Sequence, residues 1–278
     1  MKMFNPLIVI TCLLLFCSCN SERYIYSAPV PNNPFFTTKG ESKLAGYYST
    51  GTVTTTIPKK INYGGDLQGA YAITNHWALT AGYSTRQELN IYNYNSNISP
   101  FDSSMISYQR HFFEYGGGYF IALNEKKTIT ANLYGGAGSG KFSFQDIGQD
   151  HNGINYSRYH NSSVTKWFFQ PSINILALDY FRFGIILKSS YVHYNNIKTS
   201  YTVAELQYFS LDKIAGKTFN FIEPSFSVEF IAPQYPWIKL DLLMTGVQAK
   251  PLGRLAVRSH NFTIGLSADF SKLKKAKK

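Results

Sequence analysis

The sequence predicts an all-β protein, an antiparallel up-and-down transmembrane β-barrel of about ten strands. Three observations support this fold: apolar and polar residues alternate, charged residues are scarce, and short and long connections alternate along the chain. The clearest alternation runs from Asn261 to Phe270, where every second residue is apolar. Because successive side chains of a strand point to opposite faces, this segment has one apolar face and one polar face.

The composition of the 278 residues does not suit an ordinary soluble surface. Charged residues make up 15% of the chain, against about 25% in a typical soluble domain. Aromatic residues make up 16%, with 21 Tyr and 21 Phe. Beyond the N-terminus, no apolar run approaches the ~18 residues that a spanning helix needs. A membrane barrel reconciles these facts, because its apolar residues occupy every second position of each strand.

Residues 1–18 are predicted to be an export signal, with Lys2 as its basic region and an apolar core from Leu7 to Phe16. A small residue precedes Cys19, so the end of the signal resembles a bacterial lipobox with Cys19 as the lipidated residue. The alternative is an ordinary signal peptide that is cut nearby. All three cysteines lie within the first 19 residues, so no disulfide or zinc-thiolate site is expected in the mature chain.

The remaining chain is divided into a lipidated N-terminus and Pro/Asn linker (19–39), a barrel (40–270) and a basic tail (271–278). Candidate strands cover residues 41–50, 61–73, 77–92, 106–122, 128–144, 163–178, 181–195, 219–231, 237–249 and 259–270. The longer connections lie near residues 51–60, 93–105, 145–162, 196–218 and 250–258. Both chain ends are expected on the short-turn side, which is periplasmic in such barrels.

Eleven charged residues are expected to project into the lumen. They are Asp66, Arg86, Arg110, Glu114, Lys166, Arg182, Lys188, Glu223, Glu229, Lys239 and Asp241. Side chains largely fill a barrel of this size, so charges of mixed sign predict a paired internal network. An unpaired charge in a narrow lumen would be costly. The alternative is a narrow channel for small polar solutes.

No motif in the sequence fixes a catalytic site, and no catalysis, cofactor or metal is expected. A second alternative is a hydrolase at the long-loop rim, where His151, His160, Asp146 and Asp150 could meet. The stretch from Gly135 to Lys141 nearly spells a phosphate-binding loop. It lacks the hydroxyl that binds Mg²⁺, and a strand rather than a helix follows it.

Two parts of the sequence resemble known outer-membrane barrels. The residues from Thr263 to Phe270 match the outer-membrane assembly signal, with the pattern positions at Thr263, Gly265, Ala268 and Phe270. The stretches 28–41 and 67–76 are similar to the start of small Bacteroidota outer-membrane β-barrel proteins. The resemblance implies a barrel fold, a location in the cell outer membrane and insertion by the barrel assembly machinery. It implies no activity.

The net charge of +11 indicates anionic partners. In an exported chain, we expect outer membrane lipid and lipopolysaccharide rather than nucleic acid. Five lysines between residues 272 and 278 are expected to form a solvated tail. The predicted role is structural or a surface interaction through the long loops. The oligomeric state stays open.

Overall fold

A computed structural model describes residues 23–51, 59–91, 105–149, 154–249 and 255–271. The predicted signal peptide, Cys19 and the lysines of the basic tail lie outside the described residues.

The strands, numbered in chain order, have the following bounds. They are β1 (Arg23–Tyr26), β2 (Ser42–Gly51), β3 (Lys59–Ala72), β4 (Trp77–Ile91), β5 (Met105–Ala122), β6 (Ile129–Gln149), β7 (Asn155–Leu178), β8 (Phe181–Thr199), β9 (Thr218–Ile231), β10 (Ile238–Gly246), β11 (Gln248–Ala249), β12 (Leu255–Val257) and β13 (His260–Ala268). A short helix, α1 (Val203–Tyr208), and a 3₁₀ turn (Leu211–Lys213) lie between β8 and β9.

Ten of these strands, β2 to β10 and β13, close into an antiparallel barrel. Each pairs with its neighbour in sequence order, and β13 pairs with β10 on one side and with β2 on the other. The ladder is therefore continuous around the ring, and no barrel strand is left with an unpaired edge. The predicted fold class and the number of strands are confirmed.

The register points the apolar faces of the strands outward. In β13, Phe262 is 53% exposed and Leu266 is 60% exposed, whereas Thr263 between them is 5% exposed. A soluble barrel would show the reverse, with its apolar face inside. The outward belt continues around the ring through Leu67, Leu79, Phe113, Leu133, Ile173, Ile185, Phe226 and Leu242. This is the surface that a lipid bilayer requires.

Exposed aromatic rings lie at both margins of this belt. Near the short turns, Trp77 packs edge-on against Tyr119 with the ring centroids 5.7 Å apart. Nearer the long connections, Tyr83 lies opposite Phe113, and Trp167 lies opposite Tyr191. Rings at these levels are typical of the girdles that mark the two interfaces of a membrane barrel.

The predicted loop over 145–162 is wrong, because most of it is strand. β6 and β7 stay paired to the Gln149–Asn155 register pair, so this part of the chain is a long hairpin. Beyond the lipid belt, the outward positions of this hairpin carry polar residues such as Gln145, Ser157 and Asn161, while inward residues such as Phe144 are buried. The apolar-outward alternation ends where the lipid ends, so the sequence pattern understates the length of these strands.

The stretch between β8 and β9 packs over the end of the lumen. Tyr201, Phe209, Leu211 and Ile214 are buried there in one apolar cluster with Tyr24. A capping box between Thr202 and Glu205 begins α1. None of the helices in the described ranges is long and apolar enough to cross a membrane.

A substitution at Gly265 of β13 tests why the closing strand needs a glycine there. A Cβ at this position would overlap the ring of Tyr47 and the carbonyl oxygen of Gly46. We expect Gly265→Val to displace Tyr47, whose hydroxyl donates to Asp241 at 2.9 Å, and to destabilise the barrel by about 1–3 kcal/mol. The measurement is the temperature at which the heat-modifiable band is lost on SDS gels.

Gly46→Val on the neighbouring strand is the matched control, because a Cβ there meets nothing within 4 Å. If both valines lower the transition temperature equally, steric overlap with Tyr47 is not the reason for the glycine.

Candidate functional site in the lumen

Residues 23–36 of the predicted linker lie inside the barrel. We call residues 23–36 the lumen segment. Arg23, Ile25, Tyr26 and Phe36 are each at most 2% exposed. The segment contains Pro29, Pro31 and Pro34, and proline lacks the N–H that a central strand needs. These residues therefore form an extended strap through the lumen instead of joining the barrel wall.

Inward-pointing side chains satisfy the backbone of the lumen segment. The Asp66 carboxylate accepts the Val30 N–H at 3.2 Å, and the Gln68 amide donates to the Val30 carbonyl at 2.6 Å. Buried backbone groups require such partners, and the wall supplies them. Further bonds join Asn32 to Gln170, Asn33 to Asn132, Ser172 and Asn174, and Ala28 to Asn261.

The lumen segment runs from the short-turn end of the barrel to the long-loop end. At the short-turn end, Phe36 packs against Phe120 with ring centroids 5.8 Å apart, and the Lys39 N–H donates to Asn75 at 3.0 Å. At the opposite end, β1 pairs in parallel with β12. The expectation that both chain ends lie on the short-turn side is therefore wrong for the described N-terminal end. A count of barrel strands does not detect a segment that crosses the lumen.

Near the short turns, Glu229 lies at the centre of an ion-pair cluster. Its carboxylate contacts Arg182 at 2.8 Å, Lys43 at 2.9 Å and Lys239 at 3.8 Å. Lys43 also contacts Asp241 at 3.3 Å. Three cations thus share two carboxylates in a region where every member is nearly buried.

In the middle of the barrel, the ion pairs include the lumen segment. Glu114 contacts Lys166 and Lys188, both at 2.7 Å, and Lys166 also lies 3.6 Å from Glu223. The Tyr26 hydroxyl donates to Glu223 at 2.7 Å and accepts from Lys166 at 2.7 Å. The segment is therefore part of the polar network of the wall.

Towards the long loops, the cations are arginines. Glu88 pairs with Arg110 and, at 2.5 Å, with Arg258. Arg110 also donates to the carbonyl oxygen of Tyr24, and Arg23 pairs with Asp146 at 2.6 Å. A separate pair joins Asp66 to Arg86 at 2.7 Å.

The structure places all eleven predicted lumen charges on the inner face, in contact with opposite charges. Sequence reasoning missed further members of the network, among them Arg23, Lys43, Glu88, Asp146 and Arg258. Lys43 and Glu88 lie in predicted strands, in phase with other inward residues, so period-two counting could have found them. The other three lie in stretches that were predicted as linker or loop.

Two small cavities lie beside the lumen segment. A cavity of about 20 Å³ lies beside Val30, Asp66 and Lys188, and another of about 10 Å³ lies beside Pro31 and Lys43. Each holds roughly one water molecule. Protein atoms therefore fill the lumen at both positions.

The candidate hydrolase residues do not form an exposed dyad in the described chain. Asp146 is fully buried and accepts from Arg23 and, at 2.7 Å, from Tyr201. Burial raises the pKa of Tyr201 well above its usual value, so its hydroxyl remains a donor to Asp146. His160 is buried against Phe144, with ring centroids 5.2 Å apart and no hydrogen-bond partner for either ring nitrogen. Asp150 and His151 lie outside the described residues.

Two other sequence motifs are placed within strands. Gly135 to Lys141 lies inside β6, where the helix that a phosphate loop requires is replaced by paired strand. In the assembly-signal stretch, Thr263 and Gly265 face the lumen, and Ala268 is the last residue of β13 with Phe270 exposed just beyond it. In the described part of the chain, no group of His, Cys, Asp or Glu could hold a metal ion.

A closed barrel with an apolar outer belt and aromatic margins defines the class of protein, an outer-membrane β-barrel. No family model and no curated protein matches the chain. Its similarity is to solved structures. These include Ail, the attachment invasion locus protein of Yersinia pestis, at 14% identity, with 84% of this chain and 99% of that chain covered and a TM-score of 0.29.

Two further solved structures are similar over most of their length. An outer membrane channel from Pseudomonas putida F1 has 9% identity over 87% of this chain and 100% of that chain, with a TM-score of 0.42. The outer membrane protease OmpT from Escherichia coli has 10% identity over 86% and 99%, with a TM-score of 0.43. At such low identity the similarity concerns the fold alone. Attachment and invasion, channel activity and proteolysis are roles of those three proteins.

Glu229→Gln tests the ion-pair cluster near the short turns. The amide removes the charge that Lys43, Arg182 and Lys239 share, and an uncompensated buried charge typically costs about 3–5 kcal/mol. We therefore expect a clear fall in the urea midpoint of unfolding in detergent or lipid. Glu125→Gln, on an exposed short turn, makes the same chemical change and is expected to leave the midpoint unchanged. Equal midpoints for the two variants would show that the cluster does not stabilise the barrel.

Proposed function

We propose that the protein is a surface-interaction barrel with a closed lumen, held in the outer membrane and presenting its long hairpins outside the cell. The observation that carries the proposal is the occupied lumen: the lumen segment is bonded to the wall along its whole length. A barrel that is filled in this way supports contact at its outer end rather than passage through its centre.

The β6–β7 hairpin is the most prominent candidate contact surface. From Trp167 at the aromatic margin to the start of β7 at Asn155 there are twelve residues, a strand length on the order of 40 Å. Apolar and aromatic side chains remain exposed on this hairpin beyond the margin, with Ile147 at 37%, Tyr159 at 46% and Ile154 at 63%. Exposed apolar residues outside the lipid belt favour a protein or surface contact.

Planar-bilayer recording separates this proposal from a narrow channel. We expect the intact chain to show no discrete openings, because the lumen segment fills the lumen. A variant that lacks residues 23–36 and still gives a heat-modifiable band is expected to conduct, since the deletion removes the strap. Regular openings of the intact chain would establish the channel instead.

The outward-facing cations support anionic lipid as a second kind of partner. Above the aromatic margin, Lys141 lies opposite His111 in the ladder, and Lys198 lies opposite Asn161. Every carboxylate in the described barrel strands points inward, so these cations meet no acidic neighbour on the outer face. Phosphates of lipopolysaccharide headgroups occupy this level of an outer membrane, and each nearby lysine contributes about 1 kcal/mol of attraction.

Charge reversal tests the lipid contact. We expect Lys141→Glu with Lys198→Glu to weaken binding of purified lipopolysaccharide at least tenfold, measured in detergent as loss of lipopolysaccharide-dependent thermal stabilisation. Lys126→Glu with Lys127→Glu changes the net charge equally on the short turn between β5 and β6 and is expected to have no effect. A similar loss in both pairs would indicate attraction to net charge rather than a contact at the outer margin.

A further inference from the structure

The N-terminal end of the lumen segment lies at the long-loop end of the barrel. Arg23 is fully buried, and its guanidinium carbon lies 3.8 Å from the centre of the Phe209 ring, in the stretch that follows α1. Its carboxylate partner, Asp146, is close to the far end of β6. β1 also pairs with β12, which follows the last long connection. Three separate contacts therefore fix the same end.

The lumen segment is long enough to cross the whole membrane. From Phe36 at the short turns to Arg23 there are thirteen steps along an extended chain, a reach of roughly 43 Å. The hydrocarbon core of a bilayer is about 30 Å thick. The two ends of the segment therefore lie at opposite faces of the membrane.

Specific contacts fix the direction of the lumen segment. The Tyr26 ring stacks on Phe221 with centroids 4.1 Å apart, while its hydroxyl contacts Glu223 and Lys166. Tyr194 donates to the carbonyl oxygen of Ile25 at 2.8 Å. A reversed or shifted strap would lose these bonds and leave buried charges without partners.

We propose that the chain before Arg23 leaves the barrel at the cell surface, so that the N-terminus, and a lipid on Cys19, is displayed outside. Cys19 is four residues from Arg23, a chain reach of at most about 14 Å. That reach is less than half the thickness of the hydrocarbon core, and the lumen behind Arg23 is already occupied. The N-terminal part of the chain passes through the lumen of its own barrel, and the lipid anchors the N-terminus in the outer leaflet.

Cysteine labelling on intact cells tests which side the N-terminus occupies. The full chain carrying Ser21→Cys is treated with a membrane-impermeant maleimide before and after the outer membrane is permeabilised. We expect labelling of intact cells, as for Val203→Cys at the long-loop end, whose native residue is 72% exposed. Glu125→Cys, on a short turn, is expected to label only after permeabilisation. Labelling of Ser21→Cys only after permeabilisation would overturn the proposal.

Two further readouts complete the test. Glu22→Cys repeats the test one residue closer to Arg23 in the sequence and covers the case in which Ser21→Cys disturbs signal processing. The chain without an added cysteine is expected to stay unlabelled, because a lipid blocks the Cys19 thiol and the other two cysteines leave with the predicted signal. Labelling of that chain on intact cells would overturn the lipid at Cys19, and labelling only after permeabilisation would overturn the surface exit.

Discussion

A charge inside a narrow lumen must have a partner, and the rest of this structure depends on that constraint. Water is largely excluded, so an unpaired buried ion is far less favourable than a paired one. The barrel wall by itself does not meet this requirement. Arg23 supplies the cation for Asp146, and Tyr26 supplies a hydroxyl between Glu223 and Lys166. The lumen segment is therefore part of the interior of the barrel, comparable to the core of a soluble protein.

The same constraint shapes the outer face. Period-two alternation that turns carboxylates such as Glu114 and Asp241 inward leaves the opposite positions for apolar and small residues. In the described barrel strands, outward cations such as Lys141 lie above the aromatic margin. The paired charges in the lumen, the apolar belt and the outward cations above the belt therefore all follow from the period-two alternation of the strands.

The strand number, the face assignments and the lumen side of the eleven charges could be predicted from the sequence. Each depends on the alternation between lipid and lumen, which the chain shows directly in segments such as 261–270. The ends of β6 and β7 could not be predicted, because polar residues replace apolar ones on the outward face there while the backbone pairing continues. The lumen segment could not be predicted either. Its prolines have no strand periodicity, so the sequence predicts a linker for Arg23 and its neighbours.

The bond between Asn261 and Ala28 has a consequence for the closing of the barrel. Asn261 belongs to β13, which forms the seam with β2, and its amide donates to a carbonyl of the strap at 3.0 Å. Once that seam is sealed, the strap is enclosed by a continuous hydrogen-bonded ring. The bond joins the first described segment of the chain to the last barrel strand, so it forms only when both are in place. Closing the seam and seating the segment therefore stabilise each other, although the two elements lie at opposite ends of the sequence.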